Sequence, residues 1–324
     1  MPTESTGNAV SAVSDARDAR SSAIFGIALS GGGARGIAHI GALRAMEAIR
    51  IPVDRLAGTS MGAIIAGMYA AGYTAAELTD LARSLRLLDV VERDETGLAL
   101  LGHGKMARRL RDALGGEPTF ADLQIPLVLT AVDLYSGELV LINEGSVIDA
   151  MLASAAFPGV FPPVKWNGRH LIDGGVLNPV PLDVVREMGA DRVIAVYVTG
   201  EMGPHSAQHV DFRGQGFESI IRLLLNRTRW NPLMNIADRS LNIMSAKLVE
   251  QLVRESPPDI LIDVALQGVG LFDLDQVDLC LRLGEESTLL RTSELIALRD
   301  GSLPQPWRRR WRAWWRRLTT DRRA

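Results

Sequence analysis

Gly31-Gly32-Gly33-Ala34-Arg35-Gly36 and Gly58-Thr59-Ser60-Met61-Gly62 are the two stretches that decide the fold of this chain of 324 residues. An apolar run precedes each stretch, and a helical spacing of apolar residues follows, at 37–49 after the first and 63–71 after the second. Both stretches are therefore predicted to be turns between a strand and a helix. Such alternation is typical of an α/β protein with a mostly parallel central sheet flanked by helices.

The second stretch has the spacing of a nucleophile elbow around Ser60. Gly58 and Gly62 lie two residues before and two residues after the serine. This sharp turn needs glycine at both places, because a Cβ atom there would collide with the neighbouring strand and helix. The same spacing also arises by chance in a chain rich in alanine and glycine, so the motif alone predicts only a candidate nucleophile.

The first stretch is open to two interpretations. Its spacing fits the dinucleotide-binding fingerprint, which requires an acidic residue at the carboxyl end of the second strand. The nearby acidic residue, Asp54, comes at the start of that strand, and Ser60 follows its end. We therefore interpret the glycines as a source of unpaired backbone N–H groups at a helix start, where negative charge is favoured.

A serine hydroxyl becomes a good nucleophile only when a base accepts its proton. Asp173, between an apolar pair and Gly174-Gly175, is the preferred base. A triad of Ser60, Asp133 and His205 is an alternative, although hydrolases with that chain order have several strands before the elbow and this chain has about one βαβ unit there. A further alternative is that Asp173 only forms a turn with the glycines after it.

Three blocks of the sequence resemble the patatin-like phospholipase family, in its bacterial branch similar to neuropathy target esterase. The blocks are residues 28–43, 154–163 and 173–181. The resemblance is dense from 24 to 198 and thinner to about 290. It implies a three-layer patatin-like α/β fold with the nucleophile on a strand-to-helix elbow. It also implies a catalytic dyad of Ser60 and Asp173 that uses no metal and no cofactor.

The resemblance further implies roles for the surrounding motif residues. The backbone amides of Gly32, Gly33 and Ala34 would form the oxyanion hole, and the N–H of Met61 would be a further donor. Arg35 matches a family arginine that either attracts a phosphate head group or holds the glycine loop in place. The supporting motif residues also include Gly31, Gly36, Gly58, Gly62, Gly174 and Gly175.

The reaction implied is hydrolysis of carboxylic esters of phospholipids, lysophospholipids or related lipids through an acyl-enzyme, which is class EC 3.1.1.-. A short-chain esterase or an acyltransferase with the same acyl-enzyme is an alternative. A non-catalytic, lipid-binding regulatory protein on the same scaffold is another. The expected partner is the lipid substrate, no nucleic acid is expected, and the sequence predicts no oligomeric state.

The composition and segment pattern predict a cytoplasmic protein on the cytoplasmic face of a membrane. Cys280 is the single cysteine, so no intrachain disulfide is possible and a reducing compartment is suitable. No run approaches the roughly 20 apolar residues that cross a bilayer. We expect a disordered leader at 1–22, a catalytic core at 24–198, a helical extension of the same fold at 199–300 and an amphipathic tail at 301–324.

The tail is rich in tryptophan and arginine. Residues 307–324 contain four of the six tryptophans and eight arginines against one acidic residue. Helical spacing would place Trp307, Trp311, Trp314 and Trp315 on one face, with the arginines over most of the remainder. This composition predicts an interfacial helix on an anionic membrane. Binding to nucleic acid and docking on the acidic body of the protein are the alternatives.

Overall fold

The structure is a computed structural model, and it describes residues 23–90, 92–200, 230–271 and 273–302. The predicted leader at 1–22 and the tail at 307–324 lie outside these residues. The strands are β1 (Phe25–Leu29), β2 (Arg55–Thr59), β3 (Glu92–Arg93), β4 (Leu101–Gly102), β5 (Leu127–Asp133), β6 (Leu139–Ile142), β7 (Val164–Trp166), β8 (Arg169–Asp173), β9 (Arg192–Gly200) and β10 (Ile260–Leu266).

The helices follow the strands in near alternation through the first half of the chain. The α-helices are α1 (Ala38–Ala48), α2 (Met61–Ala70), α3 (Ala75–Ser84), α4 (Leu87–Val90), α5 (Gly104–Leu114), α6 (Val147–Ser154), α7 (Leu182–Glu187), α8 (Trp230–Glu255), α9 (Val277–Leu289) and α10 (Thr292–Arg299). Short 3₁₀ turns occupy Gly33–Ile37, Phe120–Asp122 and Gly174–Val176. Two of these turns lie in the glycine motifs.

Among the described residues, the main sheet has eight strands and is mostly parallel. Its order is β10-β9-β1-β2-β5-β8-β7, and β6 pairs with β5 beside this path. The pairs from β10 through β5 are parallel, whereas β6, β7 and β8 pair antiparallel with their neighbours. The carboxyl ends of β9, β1 and β2 therefore meet at one edge, where ligands of open α/β sheets usually bind.

Alternate residues of the central strands face opposite sides of the sheet, as the pleat requires. In β1, Ile27 and Leu29 belong to one buried apolar cluster, which also contains α1, α2 and α9. Ala28 belongs to a second cluster, which contains α7 and α8. Helices thus cover both faces, and near-continuous apolar strands are what such a doubly covered sheet needs. The predicted α/β architecture is confirmed.

Candidate active site

Ser60 lies on a sharp turn between β2 and α2. Its backbone has φ 55° and ψ −123°, a conformation that is costly for a residue with a side chain. A Cβ atom added to Gly58 would lie 2.6 Å from the carbonyl oxygen of Gly62, and one added to Gly62 would lie 2.4 Å from that of Ser30. The turn therefore has no space for side chains at either glycine, as the motif predicts.

Ser60 and Asp173 are in direct contact. Ser60 Oγ donates a hydrogen bond of 2.6 Å to Asp173 Oδ2, and the N–H of Gly175 donates one of 2.7 Å to Asp173 Oδ1. Asp173 is 3% exposed. Its burial raises the pKa of the carboxyl to about 6, against the opposite effect of the two hydrogen bonds. The carboxylate is thus fixed by one oxygen and presents the other to the serine hydroxyl.

The strand register explains how Asp173 reaches the elbow from two strands away. Thr59 at the end of β2 lies opposite Thr130 of β5, and Ala131 lies opposite Asp173 of β8. Asp173 is the last residue of β8 and therefore lies at the same edge of the sheet as the elbow. Gly174 then packs so closely on Thr130 that a Cβ atom would lie 2.2 Å from the threonine hydroxyl. This close approach lets the chain cross the end of β5 and bring the carboxylate to the serine.

Buried hydroxyl groups form hydrogen bonds to and beside the elbow, and sequence analysis assigned no role to these residues. The N–H of Ser60 donates to Ser154 Oγ at 2.9 Å. Thr59 Oγ1 donates to the carbonyl oxygen of Asn178 at 2.9 Å, so Thr130 is the donor in the 2.7 Å contact between the two threonine hydroxyls. Ser154 and Asn178 both lie in the blocks quoted for the family resemblance, which is the signal that could have found them.

The glycine loop lies directly against the serine. A Cβ atom on Gly31 would be 3.3 Å from the Cβ of Ser60. Within the described residues, the amides of Gly32 and Gly33 donate to no backbone acceptor. The amide of Met61, the first residue of α2, has no acceptor inside its own helix. These three backbone amides belong to residues that line the same cavity as Ser60.

The structure corrects one member of the expected oxyanion hole. The N–H of Ala34 donates to the carbonyl oxygen of Leu271 at 2.8 Å, so this amide is already occupied. Leu271 also lies over the neighbouring glycine, since a Cβ atom on Gly33 would be 2.4 Å from the same oxygen. Because Gly33 has φ 57°, glycine suits this position for conformation as well as for space.

Two buried side chains brace the glycine loop. Arg35 is 5% exposed, and its Nε donates to the carbonyl oxygen of Gly32 at 3.2 Å. His39 Nε2 lies 2.8 Å from the carbonyl oxygen of Ser30, and burial lowers the pKa of the imidazole to about 4. The neutral ring therefore donates this hydrogen bond. Of the two interpretations of Arg35, loop bracing has a contact in the structure, although the guanidinium also borders the cavity described next.

A cavity of about 250 Å³ borders both Ser60 and Asp173. Its polar end is formed by these two side chains, the glycine loop and Arg35. Its other part, here named the apolar arm, is lined from α2, α3 and α5 by Ile64, Ile65, Met68, Leu78, Leu81, Ala82, Met106, Arg109, Leu110 and Ala113. Helical spacing at 63–71, 75–88 and 103–114 predicts these helices but does not indicate that they face the serine.

The alternative partners of the motifs lie elsewhere. Asp133 accepts from the N–H of Tyr135 at 3.1 Å, and its other oxygen is 3.9 Å from Nε of Arg169. His205 lies outside the described residues, and no histidine among the described residues lines the cavity. Asp54 accepts from the N–H of Phe25 at 2.7 Å, before β2 begins. Its carboxylate is therefore at the opposite end of the strand from the elbow.

The part of the chain that the structure describes contains no group of three His, Cys, Asp or Glu side chains able to hold a metal ion. Within the same ranges, no helix combines the length and apolarity needed to cross a membrane.

The family model named patatin-like phospholipase matches residues 27–186. Residues 27–186 therefore belong to the patatin-like phospholipase family. The matched range includes the glycine loop, Ser60 and Asp173, and the resemblance drawn from the motifs is confirmed.

The similar proteins agree with this membership. An uncharacterized NTE family protein of Mycobacterium tuberculosis is 37% identical over 182 residues, which is 55% of this chain and 50% of that protein. Patatin-like phospholipase domain-containing protein 6 of Mus musculus is 32% identical over 179 residues, covering 53% of this chain and 13% of that protein. This patatin-like chain thus spans about half the length, or less, of these curated relatives.

A solved structure supports the fold alone. The crystal structure of VipD from Legionella pneumophila superposes with a TM-score of 0.55 at 15% sequence identity, covering 84% of this chain and 67% of that chain. The superposition covers more of the chain than residues 27–186, so the shared fold is not confined to the range of the family model.

Proposed function

We propose that this protein is a serine acyl hydrolase that cleaves carboxylic esters of phospholipids, lysophospholipids or related lipids. Ser60 is the nucleophile and Asp173 is the base. The observation that carries the proposal is the 2.6 Å hydrogen bond from Ser60 Oγ to a buried carboxylate that borders a cavity with an apolar arm. A nucleophile and a base within hydrogen-bond reach are the geometric signature of covalent catalysis.

The proposed reaction has two stages, acylation of Ser60 and hydrolysis of the acyl-enzyme, and Asp173 transfers the proton in both. Ser60 Oγ attacks the ester carbonyl carbon and passes its proton to Asp173 Oδ2. The tetrahedral oxyanion then collapses, the bond to the alcohol breaks, and Asp173 gives the proton to the leaving oxygen. A water molecule attacks the acyl-enzyme while Asp173 takes its proton, and that proton returns to Ser60 as the fatty acid leaves.

The negative charge of the tetrahedral oxygen is stabilised by the backbone. The amides of Gly32 and Gly33 are the proposed donors, together with the helix-start amide of Met61. Removing one such donor typically costs about 2.7–4 kcal/mol of transition-state stabilisation. Because an aspartate is a weaker base than an imidazole, this stabilisation has a large share in the proposed catalysis.

The apolar arm is the proposed binding site of the acyl chain. It is lined from α2, α3 and α5 mainly by aliphatic side chains, and transfer of each methylene group from water contributes about 0.8 kcal/mol. Arg35 borders the cavity at the polar end, where the alcohol part of the ester would leave.

The direct test uses a fluorophosphonate probe that reacts with activated serines. We expect labelling of the wild type and of Ser136→Ala, whose hydroxyl lies on an exposed turn after β5 and contacts Glu138. We expect no labelling of Ser60→Ala. A folded wild type that neither reacts nor hydrolyses any lipid ester would instead support the non-catalytic, lipid-binding alternative. Product analysis with an alcohol present would separate hydrolysis from acyl transfer.

We also propose that the tryptophan- and arginine-rich tail holds the enzyme on an anionic membrane surface. The support is its sequence alone, since these residues lie outside the structure described here. Removal of 307–324 should abolish co-sedimentation with anionic vesicles. Changing Trp307, Trp311, Trp314 and Trp315 to alanine keeps the charge and should weaken binding less. Unchanged vesicle binding after removal of the tail would contradict the proposal, and tail-dependent RNA binding would favour the nucleic-acid alternative.

A further inference from the structure

Arg109 is a charged side chain on the helix face that lines the apolar arm. On α5, the residues that border the arm are Met106, Arg109, Leu110 and Ala113, with the spacing of a single helix face. A face directed to an apolar cavity normally carries apolar side chains throughout. Arginine at this place is therefore a departure that needs a partner within the arm.

The bonding of Arg109 differs from that of the other arginines nearby on α5. Its Nη2 donates to Ser84 Oγ at 3.3 Å, whereas its Nε is buried and has no partner. Among the described residues, no carboxylate forms an ion pair with it. By contrast, Arg108 pairs with Glu92 at 3.0 Å, and Arg111 Nε donates to Glu117 at 2.7 Å. Arg109 thus has a buried donor that remains available to a ligand.

Arg109 lies at the outer end of the apolar arm. Its partner Ser84 is the last residue of α3, about 9 Å along that helix from Leu78, at 1.5 Å per residue. Leu78 is fully buried, whereas Leu85, just after α3, is half-buried and also lines the cavity. An acyl chain with its carbonyl carbon at Ser60 would therefore direct its far end toward Arg109 and the surface.

We propose that Arg109 is a specificity-determining residue that binds a carboxylate at the far end of the acyl chain, so that the preferred substrates are esters of dicarboxylic or similarly oxidised acyl chains. The inference rests on the proposed function of Ser60. A guanidinium offers a planar fork of donors that matches a carboxylate. A methyl-ended chain would leave the buried Nε without an acceptor, and a site built to form a hydrogen bond discriminates against such a ligand.

The test compares two para-nitrophenyl esters of equal chain length, one ending in a methyl group and one in a carboxylate. We expect the ratio of their kcat/KM values, carboxylate over methyl, to fall about tenfold in Arg109→Met, which corresponds to about 1.4 kcal/mol. Arg109→Lys should retain part of the preference. Arg111→Met is the matched control, since Arg111 pairs with Glu117 and does not line the arm, and its ratio should equal that of the wild type.

A binding measurement separates this inference from the proposed function. On Ser60→Ala protein, isothermal titration with the carboxylate-ended ester should show about tenfold weaker binding when Arg109→Met is added. If Ser60→Ala still hydrolyses both esters at the wild-type rate, the proposed nucleophile is wrong, while the binding result still reports on Arg109. An unchanged ratio and unchanged binding in Arg109→Met would overturn the inference. If that variant does not fold, Arg109→Gln supplies the same comparison.

Discussion

The polar end of the cavity and its apolar arm are built by different means. At the polar end, close approach of neighbouring atoms to the backbone restricts which residues fit. A Cβ atom on Gly62 would lie 2.4 Å from a carbonyl oxygen, and one on Gly174 would lie 2.2 Å from a hydroxyl. In the arm, helix faces contribute side chains such as Ile65 and Leu81, which other apolar residues of similar volume can replace at small cost. The polar end therefore requires particular residues, whereas the apolar arm requires only a type of residue.

The largest effect should come from removing the base at the polar end. Asp173→Asn keeps the shape and an oxygen for the N–H of Gly175, but it cannot take the proton of Ser60. General-base catalysis contributes about 10²–10⁴-fold, so we expect kcat to fall by that amount. Steady-state hydrolysis of a phospholipid or an aryl ester measures it.

The control for this prediction is Asp133→Asn. Asp133 is also buried near a strand end, and its contacts are with Tyr135 and Arg169. We expect kcat within about twofold of the wild type, since Asp133 does not line the cavity that contains Ser60. A large loss in Asp133→Asn with little loss in Asp173→Asn would restore the triad alternative and contradict the dyad.

The next effect should come from the glycine loop. In Gly33→Ala, the new Cβ would lie 2.4 Å from the carbonyl oxygen of Leu271, so the loop must shift. Its amides would then no longer be placed to donate to the oxyanion. We expect kcat to fall about 10²-fold, as for loss of one oxyanion donor, with a smaller change in KM. Single-turnover kinetics would separate acylation from substrate binding.

Gly97→Ala is the matched control for the loop. Gly97 also has a positive φ, of 74°, but a Cβ atom there meets nothing within 4 Å. The two variants therefore share the conformational cost and differ in the collision. An equal loss of activity in both would mean that general destabilisation, and not the position of the amides, explains the effect at Gly33.

The sequence predicted the polar end better than the arm, for a physical reason. A turn that needs Gly58 and Gly62 leaves a trace at fixed spacing, so the elbow and its flanking strands β1 and β2 could be predicted. The contact of Ala34 with Leu271 could not, because it joins residues far apart in the chain. Neither could the orientation of α3 and α5 toward Ser60, which depends on packing against the rest of the fold.

Element boundaries show the same limit. Apolar spacing predicts one helix over 275–298, whereas the structure has α9 and α10, separated at Leu290 and Arg291. At that break Arg291 Nη1 donates to the carbonyl oxygen of Leu261, a contact with a strand that local spacing does not contain. The strand that ends at Asp173 was also not predicted. β8 has only two apolar residues, which is too few for a clear strand pattern, and it forms through pairing with β5.

The pH dependence should follow the buried carboxyl. Burial raises the pKa of Asp173 from 3.8 to about 6, so the basic form predominates only above pH 6. We expect kcat/KM to rise with pH, to be half-maximal near pH 6, and to be about tenfold below its plateau at pH 5. A pH profile that is flat between pH 5 and 8 would contradict the assignment of Asp173 as the base.

Stability should change in the opposite direction from activity. Because the folded-state pKa of Asp173 exceeds the unfolded value, its contribution to stability is fully present below pH 3.8 and is lost as the pH rises through about 6. Asparagine has no carboxyl group to ionise, so Asp173→Asn does not lose this stability as the pH rises. At pH 7 the variant should be more stable than the wild type by about 2–3 kcal/mol, at about 1.4 kcal/mol per pKa unit. Denaturant unfolding at pH 4 and pH 7 would measure the difference.

The smallest effect should come from the arm, where residue type matters more than residue identity. Leu81→Phe enlarges a half-buried side chain that lines the outer part of the arm. We expect kcat/KM for long acyl chains to fall about tenfold, as for a misfit of about one methylene group, while short chains are unaffected. Leu141→Phe changes an exposed side chain of β6 that does not line the cavity, and it should leave the chain-length profile unchanged. If Leu81→Phe lowers the rates for short and long chains equally, the arm does not measure chain length, and the two ends of the cavity would be coupled through the fold instead of acting separately.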